Sequence, residues 1–326
     1  MSLKRKSKLA IIFGSIGGLL LLVLIILSSV AFILPSFWYT KYKSESNIDT
    51  TNWMSNINDD TYISDIVMPA SHDSCTKYCD LPLFTRTQQY SIKEQLEIGI
   101  RVFDMRLCET NGKIKLVHSS FTCKKDMINT LYLDNVLNDI YNFLDTHSSE
   151  TVVFVAKNEG DTEQFELLAK AFDNCIKDDI QKWYIWDEIP MLKQVRGKIV
   201  LLPRFPFPAV LPNINWPDQA NKIPEVDPAY GKVTTNNFDL YVQDAFKYSI
   251  DDKWDAFLAD IPLSEKPSYV FDYLSTTTTS LKSPFGVAKV LNKKFMNLDK
   301  NEIPKGWLFL DFVSIGLTER IIEVNL

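Results

Sequence analysis

Beyond residue 60 the chain alternates between two hydrophobic patterns. Short apolar runs recur at 63–68, 100–107, 114–118, 151–157, 198–202, 240–243, 269–273 and 307–312. Their length and β-branched content predict strands. The stretches between them, 91–98, 125–146, 162–176, 252–259 and 284–296, carry apolar residues at helical spacing, and 317–324 closes the chain as a last short helix. Strands alternating with helices imply parallel pairing through crossover connections, and eight runs match the count of a (β/α)8 barrel. The pattern therefore predicts an α/β TIM-like barrel over 61–326. The segment 205–232, with Pro206, Pro208, Pro212 and Pro217, is too broken for a helix and predicts an irregular connection between the fifth and sixth strands.

A different pattern occupies the start of the chain. No charged residue occurs from Leu9 to Thr40, and Ile16 to Leu34 is almost wholly apolar or small. That length matches the roughly 20 residues needed to span a bilayer, and Lys4, Arg5, Lys6 and Lys8 precede it. The expectation is a basic cytosolic tail at 1–8, a transmembrane signal anchor at 9–35 and a polar linker at 36–60. A cleaved signal peptide is the alternative. By the positive-inside rule the catalytic domain of such a single-pass membrane protein would be lumenal or extracellular.

Composition narrows the partners. A net charge of −6 and a pI near 5.3 argue against nucleic acid, which requires a basic stripe to neutralise phosphates. Among five cysteines, Cys75, Cys79, Cys108 and Cys123 could form two disulfides in an oxidising compartment, with Cys175 left over. Their spacing does not make a zinc cluster with the histidines.

Only three histidines occur, and two, His72 and His118, follow short apolar runs, whereas His147 lies at a predicted helix end. Imidazoles that titrate near neutrality can take a proton from one oxygen and give one to another. In a parallel barrel the chemistry lies at the C-terminal strand ends. His72 and Asp73, Arg106, His118, Lys157 and Glu159, Arg204, Asp244 and Asp311 all fall at such ends. An arginine among them can bind two oxygens of a phosphate.

These residues sit in stretches that resemble the X domain of phosphatidylinositol-specific phospholipases C, the bacterial type more than the calcium-dependent signalling type. The stretches are Pro69-Ala70-Ser71-His72-Asp73-Ser74, 88–96 leading to Gly99-Ile100-Arg101-Val102-Phe103-Asp104-Met105-Arg106, then Ser149-Glu150-Thr151, 197–204, Val242-Gln243-Asp244 and 306–311. The resemblance implies that His72 is a general base for the inositol 2-hydroxyl, with Asp311 fixing its tautomer. It implies that His118, supported by Asp73, is the general acid for the diacylglycerol oxygen. Arg106 would stabilise phosphate charge, with Asp104 orienting neighbouring groups. Lys157, Arg204 and Asp244 would bind inositol hydroxyls, with Glu159 nearby, and Phe246 stands where the bacterial type has a ring-stacking tyrosine. Where the calcium-dependent branch places an acidic residue this chain has Arg106, so no metal or other cofactor is expected. Two positions depart from the family pattern: His118-Ser119 replaces His-Gly, and Ala70-Ser71 replaces Gly-Thr.

The implied activity is cleavage of phosphatidylinositol or of a glycosylphosphatidylinositol anchor at a membrane, giving inositol 1,2-cyclic phosphate from the former. Two alternatives stand beside it: a catalytically silent X domain that binds inositol lipid or a protein partner, and a metal-dependent glycerophosphodiester phosphodiesterase.

Overall fold

A computed structural model describes residues 17–27, 29–30, 33–35, 42, 46–160, 165–207, 211–277 and 283–326. Twelve strands are present among them: β1 (Met68–Ser71), β2 (Tyr78–Cys79), β3 (Val102–Thr110), β4 (Lys113–His118), β5 (Phe121–Lys124), β6 (Val152–Asn158), β7 (Trp183–Tyr184), β8 (Ile199–Arg204), β9 (Gly231–Thr234), β10 (Asp239–Gln243), β11 (Ser268–Tyr273) and β12 (Trp307–Leu310). Eight of them pair in parallel in the order β7-β8-β6-β3-β1-β12-β11-β10. β9 adds antiparallel to β10. The fold is barrel-like, but among the described residues the sheet does not close: no ladder joins β7 or β8 to β9 or β10.

Period-2 alternation sorts the side chains of this sheet. Phe103, Met105, Phe154 and Leu201 face the layer of helices, whereas Val102, Val153, Val155, Val200, Leu202, Leu240 and Val242 share the interior with Tyr269, Phe271, Trp307 and Phe309. The outer layer includes Leu133–Thr146, Phe165–Ile176 and Pro284–Met296. Val136, Leu137, Ile140 and Leu144, at helical spacing, bury one face of the first of these. His147 ends it, with Nδ1 3.0 Å from the Phe143 carbonyl.

Three expected elements change. The run at 63–68 is a strand only from Met68; Ile63–Asp65 is a 3-10 turn that buries Ile63 below the barrel, and a short apolar run cannot by itself distinguish the two. The run at 114–118 is not a barrel strand. β4 turns back antiparallel on the overrun of β3 through Asn111 and Gly112, both at positive φ (54° and 77°). Asn-Gly between alternating strands is a strong hairpin signal. The eighth parallel strand is instead the two-residue β7. In the expected helix 125–146, the first turn and more are irregular, because the Asp126 carboxylate accepts from the Ile128 and Asn129 amides and diverts the backbone into a turn. Of the expected helix 162–176, residues 162–164 lie outside the described residues.

The expected anchor is overturned. Among the described residues no helix is long and apolar enough to cross a membrane, so the single-pass topology, with its cytosolic N-terminus and lumenal or extracellular catalytic domain, is withdrawn. The longest described helical run there, 17–27, rises about 16 Å against a hydrocarbon core of roughly 30 Å. Lys4, Arg5, Lys6 and Lys8 lie outside the described residues. All five cysteines are free thiols, although Cys79 and Cys123 face each other across β2 and β5 with 3.7 Å between sulfurs.

The start of β3 is pinned by Arg101, which is fully buried. Its Nε donates to Glu150 at 2.8 Å, Nη1 to the Leu96 and Ile100 carbonyls, and Nη2 to the Thr50 and Thr51 carbonyls. One guanidinium thus ties the entering chain to β3 and to the turn before β6. Removing one partner of a buried pair leaves a charge uncompensated, at a cost of about 3–5 kcal/mol. Glu150→Gln should lower the urea unfolding midpoint accordingly without changing the slope. An unchanged midpoint would refute this role.

Candidate active site

The same alternation that fills the barrel with valines puts charge at its mouth. Continuing the inner face of each strand by two residues leads from Val102 to Asp104 and Arg106, from Val155 to Lys157, from Leu202 to Arg204, and from Val242 to Asp244. Strand register sets Arg106 beside Lys157 and Lys157 beside Arg204. β1 and β12 deliver His72 and Asp311 one residue past their ends. His72, Asp73, Arg106, His118, Lys157, Glu159, Arg204, Asp244, Phe246 and Asp311 line one cavity of about 550 Å³. Asp104 lies fully buried beneath Arg106.

Asp73 occupies the centre. Its backbone is left-handed, φ 42°, a conformation aspartate tolerates better than most residues. One carboxylate oxygen, Oδ2, is 3.4 Å from His72 Nε2 and 3.3 Å from His118 Nε2. The other, Oδ1, is 3.0 Å from Arg106 Nε.

The opposite nitrogen of each imidazole is held from behind. His72 Nδ1 is 2.8 Å from Asp311 Oδ1, and His118 Nδ1 is 2.6 Å from the carbonyl of Thr85. A carbonyl can only accept, so His118 Nδ1 carries a proton, and Nε2 of both rings is turned to the cavity. Gln88, fully buried, braces the first imidazole by donating to the His72 and Leu310 carbonyls at 2.9 and 2.8 Å. Tyr273 meets the His72 ring edge-on at 5.7 Å.

Arg106 is shared among carboxylates. It donates from Nε and Nη2 to Asp104 at 2.8 and 2.6 Å and from Nη1 to Glu159 at 2.8 Å. Glu159 also accepts from Lys157 at 2.6 Å.

Burial opposes each of these charges, and the neighbours overcome it for some of them. It would lower the His72 pKa, but Asp73 and Asp311 raise it to about 9. It would raise the Asp73 carboxyl, but Arg106 and both imidazoles hold it well below the usual range. Arg106 is driven well above its ordinary value by Asp104 and Asp73 against the same burial. For Lys157 and Arg204 burial wins, helped by Arg106, and both are lowered. Burial also lifts Asp311 against the pull of His72.

Four contributors escaped sequence reasoning: Thr85, Gln88, Trp216 and Tyr273. Thr85 acts through its carbonyl, which no side-chain pattern records. Gln88 was visible as part of a motif without a role. Trp216 is buried in the proline-broken segment after β8, where its ring covers the Arg204 guanidinium at 3.3 Å. Ser119 follows His118 at φ 52° as the first residue of a two-residue hairpin turn. Glycine is favoured there, and a side chain costs about 1–2 kcal/mol.

His72, Asp73 and Asp104 offer atoms within 4.8 Å of one another and form a group that could hold a metal ion. Arg106 already contacts both of those carboxylates.

Residues 63–205 match the family model described as phosphatidylinositol-specific phospholipase C, X domain. A 1-phosphatidylinositol phosphodiesterase of Staphylococcus aureus (strain NCTC 8325 / PS 47) is 24% identical over 313 residues, covering 87% of this chain and 91% of that protein. One of Listeria monocytogenes is 30% identical over 168 residues, 48% of this chain and 50% of the relative. Among solved structures, the phosphatidylinositol-specific phospholipase C of S. aureus superposes with a TM-score of 0.69 at 23% identity, over 85% of this chain and 98% of that one. That of L. monocytogenes gives 0.66 at 23% identity, over 86% of this chain and all of the other.

Proposed function

We propose that this chain, whose residues 63–205 place it in the phosphatidylinositol-specific phospholipase C X-domain family, is a phosphodiesterase that cleaves phosphatidylinositol to diacylglycerol and inositol 1,2-cyclic phosphate. The observation that carries the reading is the pair of imidazole Nε2 atoms set 3.4 and 3.3 Å from one Asp73 oxygen beside a guanidinium. Nε2 of His72 takes the proton of the inositol 2-hydroxyl. That oxygen attacks phosphorus, the bond to the glycerol oxygen breaks, and Nε2 of His118 protonates the departing oxygen. Asp311 fixes the His72 tautomer, and Asp73 supports His118.

Arg106 stabilises the charge that develops on the phosphate oxygens, with Asp104 and Glu159 orienting it. Lys157, Arg204 and Asp244 bind inositol hydroxyls, and Phe246 supplies an apolar platform against the ring. Glycosylphosphatidylinositol, the other substrate the resemblance implies, would be the more accessible one on a lumenal or extracellular face, and that placement falls with the membrane anchor.

A guanidinium between Asp73 and Asp104 supplies locally the positive charge that a cation would bring. This favours metal-independent chemistry over a glycerophosphodiesterase, which needs those carboxylates for a metal. The test is turnover of phosphatidylinositol in excess chelator. Activity should persist there and gain little from added calcium. Absence of turnover with and without calcium would favour a silent X domain, and strong calcium activation would remove the role given to Arg106.

The two histidines separate by leaving group. An alkoxide needs protonation as it leaves and a nitrophenolate does not. His118→Ala should therefore recover much of its activity on a nitrophenyl ester of inositol phosphate, whereas His72→Ala should stay defective on both substrates. On that ester the base alone sets the pH dependence. His72 must be neutral to act, and its pKa is raised to about 9, so kcat/KM should climb with pH and level off near that value. Equal losses for both variants on both substrates, or a flat profile from pH 6 to 8, would reverse the assignments.

A further inference from the structure

Cys79 and Cys123 stand directly opposite each other in the antiparallel pair of β2 and β5. The Cys123 thiol donates to the Cys79 sulfur at 3.7 Å, and the Cys79 thiol donates to the Phe121 carbonyl at 3.8 Å. Opposed residues of antiparallel strands have Cα atoms about 4.5–5.5 Å apart, inside the range that a disulfide spans. The other thiols are engaged elsewhere. The Cys75 sulfur lies 3.5 Å from the Met105 thioether, Cys108 turns to the Glu109 carbonyl on β3, and Cys175 belongs to the helix Phe165–Ile176.

Cys79 lies between two supports of His118. Phe121, whose carbonyl accepts from Cys79, is the residue that faces His118 in the ladder of β4 and β5. Asp80, next in sequence to Cys79, offers its carbonyl to the Thr85 hydroxyl at 2.6 Å, and the Thr85 carbonyl holds His118 Nδ1. β2 itself is two residues long and, among the described residues, pairs with β5 alone. So short a ladder is an element that opens locally while the rest of the fold stays intact, and its opening would release both supports together.

We propose that Cys79 and Cys123 are an oxidisable dithiol, closed to a disulfide by a hydroperoxide, and that the closed form clamps the ribbon that carries His118. The part played by His118 rests on the proposed function, to which the dithiol adds control by redox state. Cys79 is 4% exposed and Cys123 is 0% exposed, which restricts the oxidant to a small molecule. Cys79 is the attacking sulfur, because the hydrogen bond from Cys123 lowers its pKa against burial, whereas Cys123 is pushed well above its ordinary value by donating that bond. The Cys79 thiolate attacks one oxygen of the peroxide and the O–O bond breaks, leaving Cys79 as a sulfenic acid. The departing hydroxide takes up the proton that Cys79 gave up and leaves as water. The Cys123 sulfur then displaces the sulfenic oxygen: S–S forms, S–O breaks, and a second water leaves with the Cys123 proton. The two thiols lose two electrons and the peroxide gains them, and a dithiol reductant reverses the change.

The test treats the folded, fully reduced chain with hydrogen peroxide, alkylates the remaining thiols and maps the peptides by mass spectrometry. A linked pair containing Cys79 and Cys123 should appear, vanish on reduction with dithiothreitol, and be absent from Cys79→Ser but present in Cys108→Ser. Cys75, Cys108 and Cys175 should stay open to alkylation once the protein is unfolded. Linkage through Cys75 or Cys108, or oxidation of Cys79 that never reaches Cys123, would overturn the assignment. Amide hydrogen exchange of 114–118 and 121–124 should slow about tenfold or more on oxidation while β6 and β8 stay unchanged. A disulfide that forms without slowing the ribbon would refute the clamp.

Turnover in urea, below the midpoint of global unfolding, ties the clamp to His118. The reduced protein should lose phosphatidylinositol cleavage at lower urea than cleavage of the nitrophenyl ester, which does not need the proton from His118, whereas the oxidised protein should lose both together at the higher concentration. Identical urea curves for the two redox states would break the link to His118. Mapping and exchange use the wild-type chain and need no turnover. A chain that turns over neither substrate would therefore sink the catalytic reading and leave the dithiol to be decided by those two measurements, and a chain that turns over but forms no link between Cys79 and Cys123 would end this proposal alone.

Discussion

Strand register forces three cations, Arg106, Lys157 and Arg204, side by side across β3, β6 and β8, and most of the mouth of this barrel exists to make that row tolerable. Like charges removed from water repel strongly and must be neutralised or spread. Arg106 is neutralised by Asp73, Asp104 and Glu159, and Lys157 shares Glu159. Arg204 receives no carboxylate within ion-pair distance among the described residues, and the Trp216 face takes that place. The compensation falls off along the row, from three carboxylates to a shared one to a π system. Arg106 is already held by its carboxylates, whereas Arg204 keeps Nε and Nη1 without a partner among the described residues.

The Asp73 carboxylate belongs both to this row and to the pair of imidazoles. Arg106 and the imidazoles keep it ionised against its burial, and in return it raises the pKa of His72. The left-handed backbone at Asp73 is the local strain that lets one short side chain reach both tasks.

Much of this was readable in the residues. The inner and outer faces of β3, β6, β8 and β10 follow from period-2 alternation, and the residues proposed for the site fall where a parallel barrel places its chemistry. Legibility failed where the determinant was not a side-chain pattern. Thr85 contributes a carbonyl, and β7 is two residues long, too short for any periodicity. Ile63 and Ile66 sit at a spacing that suits a turn as well as a strand. Asn111-Gly112 was a missed local signal, and overlooking it turned a hairpin into a barrel strand. Trp216 is obscured for another reason: prolines mark its segment as irregular, but only the unclosed sheet explains what an irregular segment is needed for. At the N-terminus, hydrophobicity alone invited a span that the described helix does not provide.

The two imidazoles do not rest on the same kind of support. His72 extends from β1, flanked by parallel strands on both sides, whereas His118 ends β4 in a ribbon of β4, β5 and β2 that, among the described residues, joins the barrel by ladder only along the overrun of β3. Contacts such as the Thr85 carbonyl, and not a sheet around it, fix where the second ring lies. Ribbon and barrel are free to differ in local stability. One imidazole is thus mounted on a cantilever and the other on the frame, and the separation between them is a mechanical property of the joint at β3.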